Sequence, residues 1–465
     1  MQLGDVLDTM TLDTTTGSIE VSRVEIDSRQ CEQGTLFFAL PGRVRSGLTF
    51  IDDAARHGAV AAVASEVMSA SIPVVVVPDT QLQALVAHAS ATVVGNPQES
   101  LELIGVTGTN GKSSVTTLVT ALCERLGWNS ANIGTLTNVR TTPAAPELFR
   151  TLARFVTDFD SSRDRSVVAL EVSSHALDQH RVDGLTFGVV AFTNLSHDHL
   201  DYHGTMEAYF QVKASLFTTE HATHAVIWCD DSYGQRLADM TTLPSVRVRR
   251  ELARDVVLTL RGTSFSWRGH AVYTKLVGDY NVDNSLMAME ILRVLGADER
   301  RIAEAMSEIA RVPGRFEIVS DKDFIVIVDY AHTPEGLRRL LSDVREMLEG
   351  GRIITVFGCG GDRDKEKRPH MGEVASSRSE ITIVTSDNPR SESPDAIIDS
   401  IIAGTVPGAT VLRISDRRAA IEEALRVAEP GDAVVLAGKG HETTQTIGDV
   451  VVPFDDRDVA RELLR

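Results

Sequence analysis

Short apolar runs bounded by turn residues recur along the chain, alternating with segments whose apolar positions fall at helical spacing. In the first part GTLFFAL, AVAAVAS and SIPVVVVPD read as strands of a small α/β unit. LELIGVTGTNGKSSVTTLVTALCERLG then reads as strand, glycine loop and helix, with Val115, Leu118, Val119 and Leu122 recurring along one helical face. SVVALEVSS, FGVVAFTNLS and HAVIWCDD follow as buried-type strands. Strands alternating with helices predict a mostly parallel sheet. Farther on, FIVIVDYAH, RIITVFGCGGDRD, EITIVTSDNPR and DAVVLAGKGHE each end in Gly, Asp, His or Arg. Polar breaks at Gly95-Asn-Pro97 and Val312-Pro313-Gly314-Arg315 divide the chain into three expected α/β domains, 1–98, 99–312 and 313–465. The central one carries the glycine loop on its parallel sheet, and the last is expected to be Rossmann-like. In open α/β sheets ligands bind beyond the carboxyl ends of the strands, so the polar tails are where chemistry is expected.

Composition narrows the classes. The chain has 465 residues with 43% hydrophobic, enough for several packed cores and too many for one ordinary domain. Its formal charge of −19 argues against a general nucleic-acid binder, which needs basic surface. Cys31, Cys123, Cys229 and Cys359 lie far apart with no CxxC pair, which argues against a disulfide framework or a zinc site. MQLGDVLDTM lacks the basic start of a secretory signal, and no apolar stretch is long enough to span a bilayer. A cytoplasmic protein without membrane insertion is expected.

The sharpest local feature is Gly105-Val-Thr-Gly108-Thr-Asn-Gly111-Lys112-Ser113. A glycine turn between strand and helix offers backbone N–H groups to a triphosphate, Lys112 a charge for the outer phosphates and Ser113 a hydroxyl for Mg²⁺. The ordinary P-loop spacing asks for Gly at Val106, so the match is not strict. Glu171 ends a strand where a carboxylate can reach such a magnesium, although alone it is as readily a solvated carboxylate. The stretch Asn194-Leu-Ser-His-Asp-His199-Leu-Asp-Tyr-His203 suits zinc or, with phosphate nearby, magnesium. Asp329, His332 and Arg315 could serve a nucleotide as ribose and γ-phosphate contacts. The loops Gly358–Arg368, Asp387-Asn-Pro-Arg390 and Gly438-Lys-Gly-His-Glu442 are, in isolation, also readable as solvated turns.

In chain order, DSR at 27–29 with LFFALPG, GVTGTNGKSS, TTP, EVSSHAL, TNLSHDHLDYHGTMEAY, YNVDN, PGRFE, DYAHTP, GCGGDRD, DNPR and GKGHE resemble the motifs of the Mur ligases. These are the ATP-dependent amide-forming enzymes of peptidoglycan precursor synthesis, and the resemblance is nearest to the tripeptide-synthetase type. It implies ATP at Gly108, Thr109, Asn110, Gly111, Lys112, Ser113, Ser114, Asn284, Arg315 and Asp329. It implies two Mg²⁺ at Ser113, Glu171, His199 and Lys213, the last carrying a CO₂-derived carbamate. Lys112, His199, Lys213 and Arg315 are then the catalytic set. Ser28, Thr141, Thr142, Ser173, Gln179 and Arg181 would hold UDP-MurNAc-L-Ala-D-Glu. Arg363, Asp387, Asn388, Pro389, Arg390, Gly438 and Glu442 would hold the incoming amino acid.

An intact DNPR is characteristic of members that add meso-diaminopimelate, because a planar guanidinium binds the distal carboxylate in bidentate fashion. Lysine-adding relatives usually lack this Arg, so diaminopimelate is expected and lysine is the alternative. Three departures stand out: Ser113-Ser114 where the family often has Thr-Thr, Tyr280 where Phe is usual, and no Asp-Gly in RVRSGLTF. The implied reaction forms an acyl phosphate on the D-Glu γ-carboxylate, which the amine of the amino acid then attacks. A monomer whose C-terminal domain closes on the site is expected, and residues 99–312 alone should be a poor catalyst. The rivals are a folylpolyglutamate synthase-like ligase and a nucleotide switch or motor that hydrolyses ATP without ligation.

Overall fold

The structure is a computed structural model that describes residues 1–8, 10, 12–42, 45–138 and 140–465. Arg43 and Val44, which open the RVRSGLTF stretch, lie outside the described residues. Near the N-terminus, strands Arg23–Glu25, Thr35–Phe38, Ala59–Ala64 and Val74–Val76 pair in that order, all parallel. Leu36 and Phe38 face one core while Phe37 faces a second, as the alternation of a two-sided sheet requires.

The central sheet has six parallel strands in the order Ser245–Val248, Ala222–Trp228, Phe187–Phe192, Glu102–Thr107, Ser166–Glu171, Asn129–Ile133. The glycine loop leaves its middle, after Thr107. Helix Lys112–Arg125 follows, and Val115, Leu118, Val119 and Leu122 are all fully buried on its sheet-facing side. Each such side chain contributes roughly 1.5–3 kcal/mol through burial, so the helix and its N-terminus are firmly placed under the loop.

The third sheet has the order Glu317–Asp321, Ile325–Asp329, Ala433–Ala437, Ile353–Phe357, Ile381–Val384, Thr410–Arg413. All pairs are parallel except the antiparallel edge strand Glu317–Asp321. The carboxyl ends of the strands at Thr107, Glu171, Asp329, Phe357, Val384 and Ala437 lead directly into the polar tails singled out from the sequence.

An antiparallel meander of strands Ala253–Thr259, Gly262–Trp267 and His270–Thr274 departs from the expected strand–helix alternation. Its second turn is Arg268-Gly269, both at positive φ (49° and 85°), the geometry that matches the twist of a tight hairpin. Its first strand is mostly exposed, so the apolar pattern was too weak to show it. The meander is tied down by buried Trp267, whose Nε1 donates to Glu290 Oε1 at 3.0 Å on helix Asp279–Val294. No helix of the described residues is long and apolar enough to cross a membrane.

Candidate active site

The strand ends of the central and C-terminal sheets face one cavity of about 660 Å³. Its walls carry Gly108 to Ser114, Thr141, Glu171, Ser173, His199, Lys213, Asn284, Arg315, Asp329, Arg363, Asp387, Asn388, Arg390, Gly438 and Glu442. Of the residues expected at the site, only Ser28, Thr142, Gln179, Arg181 and Pro389 are absent from that lining.

The glycine loop has a shape that only glycine permits. Gly108 (φ 144°) and Gly111 (φ 86°) lie where side chains are strained. A Cβ on Gly108 would lie 2.0 Å from Thr193 Oγ1, and one on Gly111 would lie 2.6 Å from Asn284 Oδ1. The loop is braced from the 194–196 segment: Asn110 N donates to Asn194 Oδ1 at 3.0 Å, and Ser196 N to Thr109 Oγ1 at 3.0 Å. Lys112 Nζ donates to the carbonyls of Gly108 and Thr109 at 3.0 and 2.7 Å, at the mouth of the loop.

Ser113 Oγ donates to Glu171 Oε2 at 3.0 Å, and Glu171 Oε1 accepts the Thr135 N–H at 2.8 Å. Burial raises the Glu171 carboxyl, and the Lys112 ammonium opposes that rise. Lys213 is almost wholly buried, its Nζ donating to Gly108 O at 2.9 Å and Thr107 Oγ1 at 3.2 Å. Burial and the neighbouring Lys112 charge push its amine well below the usual lysine range, which favours the neutral amine. His199 is pushed down to about 3, chiefly by burial, and its ring is therefore a neutral nitrogen donor.

Among the described residues no three His, Cys, Asp or Glu side chains gather to hold a metal by themselves. Mg²⁺ keeps several waters and takes one or two protein oxygens beside substrate phosphates. The paired Ser113 hydroxyl and Glu171 carboxylate, set at the loop that would hold the phosphates, are such oxygens.

On the far side of Glu171 a hydrogen-bonded chain runs outward. Thr142 Oγ1 donates to Glu171 O at 2.8 Å, Ser173 N donates to Thr142 Oγ1 at 3.1 Å, and Arg181 Nη1 donates to Thr142 O at 2.8 Å. Gln179 joins through its Oε1, 2.5 Å from Arg181 Nη2. The structure thus brings Thr141, Thr142, Ser173, Gln179 and Arg181 together. Ser28 stands apart in the N-terminal sheet domain, its Oγ donating to Asp53 Oδ2 at 2.7 Å.

Arg315 stacks on the Tyr330 ring, 4.3 Å from its centroid, and its buried Nε has no hydrogen-bond partner among the described residues. A desolvated guanidinium with a free donor on the cavity wall suits an anion. Asp329 uses both oxygens on protein donors: Phe316 N and Tyr280 Oη at 2.7 and 2.8 Å on Oδ2, and Ala331 N at 2.7 Å on Oδ1. It therefore fixes the backbone beside Arg315, and any ribose contact shares those oxygens. The hydroxyl that distinguishes Tyr280 from Phe has a definite partner here.

At the other end, Asn388 bridges two segments, donating to Glu442 Oε2 at 2.7 Å and accepting the Thr446 N–H at 2.9 Å. Arg390 adopts positive φ (49°) and its Nη1 donates to Gly361 O at 2.7 Å. Buried Lys439 donates to Glu442 Oε2 at 3.1 Å and to Thr444 O at 2.7 Å. The Pro389 backbone packs against Gly361, where its carbonyl would lie 1.8 Å from an added Cβ.

Two of the stretches singled out from the sequence meet through residues whose pairing the pattern did not reveal. Across the gap between central and C-terminal domains, His197 Nε2 lies 3.1 Å from Asp364 Oδ2 and Lys367 Nζ 3.5 Å from Asp198 Oδ1. Burial alone would raise the Asp198 carboxyl, but the Lys367 ammonium and the His199 backbone N–H hold it below the usual carboxylate range. The available signal was charge complementarity between His-Asp-His and Asp-Lys-Glu-Lys, which carries no spacing rule.

A glycine-loop sheet, an acid–lysine cluster behind it and a second α/β domain lining the same cavity are the parts that an ATP-dependent ligase needs. Family models described as "Mur ligase family, catalytic domain", "Mur ligase middle domain" and "Mur ligase, glutamate ligase domain" match residues 20–102, 106–292 and 314–440. The chain belongs to the Mur ligase family. It is 43% identical over 488 residues to the UDP-N-acetylmuramoyl-L-alanyl-D-glutamate--2,6-diaminopimelate ligase of Gloeobacter violaceus, covering 100% of this chain and 98% of that one. It is 41% identical to the enzyme of the same name from Geobacillus thermodenitrificans, covering 97% and 96%. A solved structure of a ligase of that name superposes with TM-score 0.68 at 30% identity, over 100% of this chain and 98% of that one. The ADP-bound Mycobacterium tuberculosis folylpolyglutamate synthase shares the fold at TM-score 0.63 and 19% identity, but spans only 76% of this chain.

Proposed function

We propose that the protein joins meso-diaminopimelate to the γ-carboxylate of D-Glu in UDP-MurNAc-L-Ala-D-Glu, using ATP, in the cytoplasm and as a monomer. The observation that carries the reading is the shared cavity, which brings the glycine loop, Glu171, Lys213, Arg315 and the DNPR and GKGHE loops to one space. Domain limits at 98/99 and 312/313 are part of the proposal; what supports them is that the four-stranded sheet and the two six-stranded sheets each fall within one of the three segments.

In the proposed reaction the γ-carboxylate attacks the γ-phosphorus of ATP, giving an acyl phosphate and ADP. Lys112 and Arg315 take up the charge that develops on the transferred phosphoryl oxygens. Ser113, Glu171, His199 and Lys213 as a carbamate would hold Mg²⁺, which supplies Lewis-acid neutralisation of the same charge. The carbamate reading is supported by the buried, low-pKa amine of Lys213, since only a neutral amine adds CO₂. Thr141, Thr142, Ser173, Gln179 and Arg181, with Ser28 at a distance, would orient the UDP-sugar dipeptide. Arg390 and Arg363 would bind the distal carboxylate of diaminopimelate, and Asp387, Asn388 and Glu442 its distal ammonium. The near amine then attacks the acyl carbon and expels phosphate.

The test is product formation with meso-diaminopimelate against L-lysine at equal concentration. Faster tripeptide formation with diaminopimelate is expected. Faster formation with lysine would overturn the amino-acid assignment and leave the family membership intact.

A further inference from the structure

Beneath the amino-acid end lies a buried ion pair that touches no cavity wall. Arg417, the first residue of helix Arg417–Val427, and Asp456, the first of helix Asp456–Leu463, both have fully buried side chains. Arg417 Nε and Nη2 donate to the two Asp456 carboxylate oxygens at 2.8 and 2.6 Å. Its Nη2 also donates to Ala437 O at 3.0 Å, and its Nη1 has no hydrogen-bond partner among the described residues. Ala437 ends the strand that leads into Gly438, and a Cβ on Gly438 would sit 2.9 Å from Asp387 Oδ2. Guanidinium, strand end, Gly438 and Asp387 are therefore contiguous.

Stability is a poor reason for this arrangement. A cation in the first turn of a helix opposes the macrodipole, and a buried ion pair is often no more stable than apolar side chains of the same volume. Its position suggests a different use. The groups whose charges act on buried Asp387 are Lys439 and Glu442 from the loop beside it and Arg417 and Asp456 from the two helices. The Cys359 thiol and Tyr330 phenol on adjoining strand ends feel its charge in turn. Lys439 is engaged with Glu442 and Thr444, whereas a guanidinium stays charged at every relevant pH.

We propose that Arg417, held by Asp456, is a positioning residue for the incoming amino acid, presenting a permanent positive charge to Asp387 and tying down the strand end before Gly438. The inference rests on the reading above in which Asp387 receives the ammonium of that amino acid. Asp387 can do so only as a carboxylate, and burial pushes its carboxyl up while Lys439 and Arg417 oppose the rise. Arg417 acts on Asp387 more strongly than its partner Asp456 does in the opposite sense, so removing the pair moves the pH at which Asp387 becomes competent upward.

The experiment uses the full chain with Arg417→Met/Asp456→Leu, which replaces the pair by apolar side chains, and Arg417→Lys, which keeps the charge. The readouts are the KM values for meso-diaminopimelate, ATP and UDP-MurNAc-L-Ala-D-Glu, and the pH profile of kcat/KM for the amino acid. In the apolar double variant the diaminopimelate KM should rise roughly tenfold, the lower end for groups that orient a binding residue, with the other two constants unchanged. Its acid limb should move to higher pH, and in Arg417→Lys it should return toward that of the unmodified protein. Three unchanged constants with an unmoved acid limb, or a parallel rise in all three, would overturn the proposal. If the double variant does not fold, Arg417→Gln/Asp456→Asn, a neutral hydrogen-bonded replacement of the pair, is read in its place with the same expected and overturning results. Absence of diaminopimelate-dependent turnover in the unmodified protein would instead count against the proposed function, and is seen before any variant is made.

Discussion

At the glycine-loop end of the cavity, proposed to hold the nucleotide, the path of the backbone itself sets the shape, whereas at the proposed amino-acid end side chains from several separate segments must meet. Gly108 and Gly111 are at positive φ with no room for a Cβ, so the loop's shape is written in consecutive residues. Asn388, Glu442, Lys439 and Thr446 instead hold one another across 58 positions of chain or fewer, through hydrogen bonds that no local pattern encodes. A backbone-built end tolerates little change in shape, and a side-chain-built end can change its ligand by exchanging one partner. On the proposed reading, the fixed chemistry and the variable specificity would thus stand at opposite ends of one cavity.

The sharpest way to break this contrast is Lys112→Ala. The loop keeps its shape, but the charge at its mouth is lost, and kcat/KM should fall roughly a thousandfold with every amino acid tried, as for other donors aimed at developing charge. Steady-state kinetics would show it, and a loss confined to one amino acid would contradict the division. A smaller and selective effect is expected for Arg390→Ala. The KM for diaminopimelate should rise roughly thirtyfold, the ~2 kcal/mol typical of a hydrogen bond to a charged group, while the ATP KM stays level. An equal rise in both would mean that the two ends are not separable.

The smallest effect belongs to Tyr280→Phe, which removes the hydroxyl donating to Asp329 Oδ2 at 2.8 Å. Asp329 keeps the Phe316 and Ala331 N–H donors, so a loss of about 1 kcal/mol of stability is expected by denaturant unfolding. A loss several times larger would place Asp329 at the centre of the domain's stability rather than beside Arg315.

The same contrast explains what the amino-acid sequence reveals. Strand–loop–helix at 101–127, with Val115, Leu118, Val119 and Leu122 buried together, is legible because periodicity and glycine placement are local signals. The meander at 253–274 was hidden because its first strand is exposed and carries little apolar alternation. Lys213 reads from sequence as an ordinary helix lysine, and only the tertiary fold shows it buried against Thr107 and Gly108. The His197–Asp364 and Asp198–Lys367 contacts join residues about 170 positions apart, and Arg417 lies in no motif at all. Tyr280 was visible as a departure from pattern, but its purpose emerged only with its partner, Asp329.

The central claim is that the two ends serve one ligation and not two independent activities. Phosphate release with ATP, UDP-MurNAc-L-Ala-D-Glu and meso-diaminopimelate, omitting each in turn, tests it most directly. Sustained release only when all three are present is the predicted result; steady ATP turnover without the UDP-sugar dipeptide would contradict it.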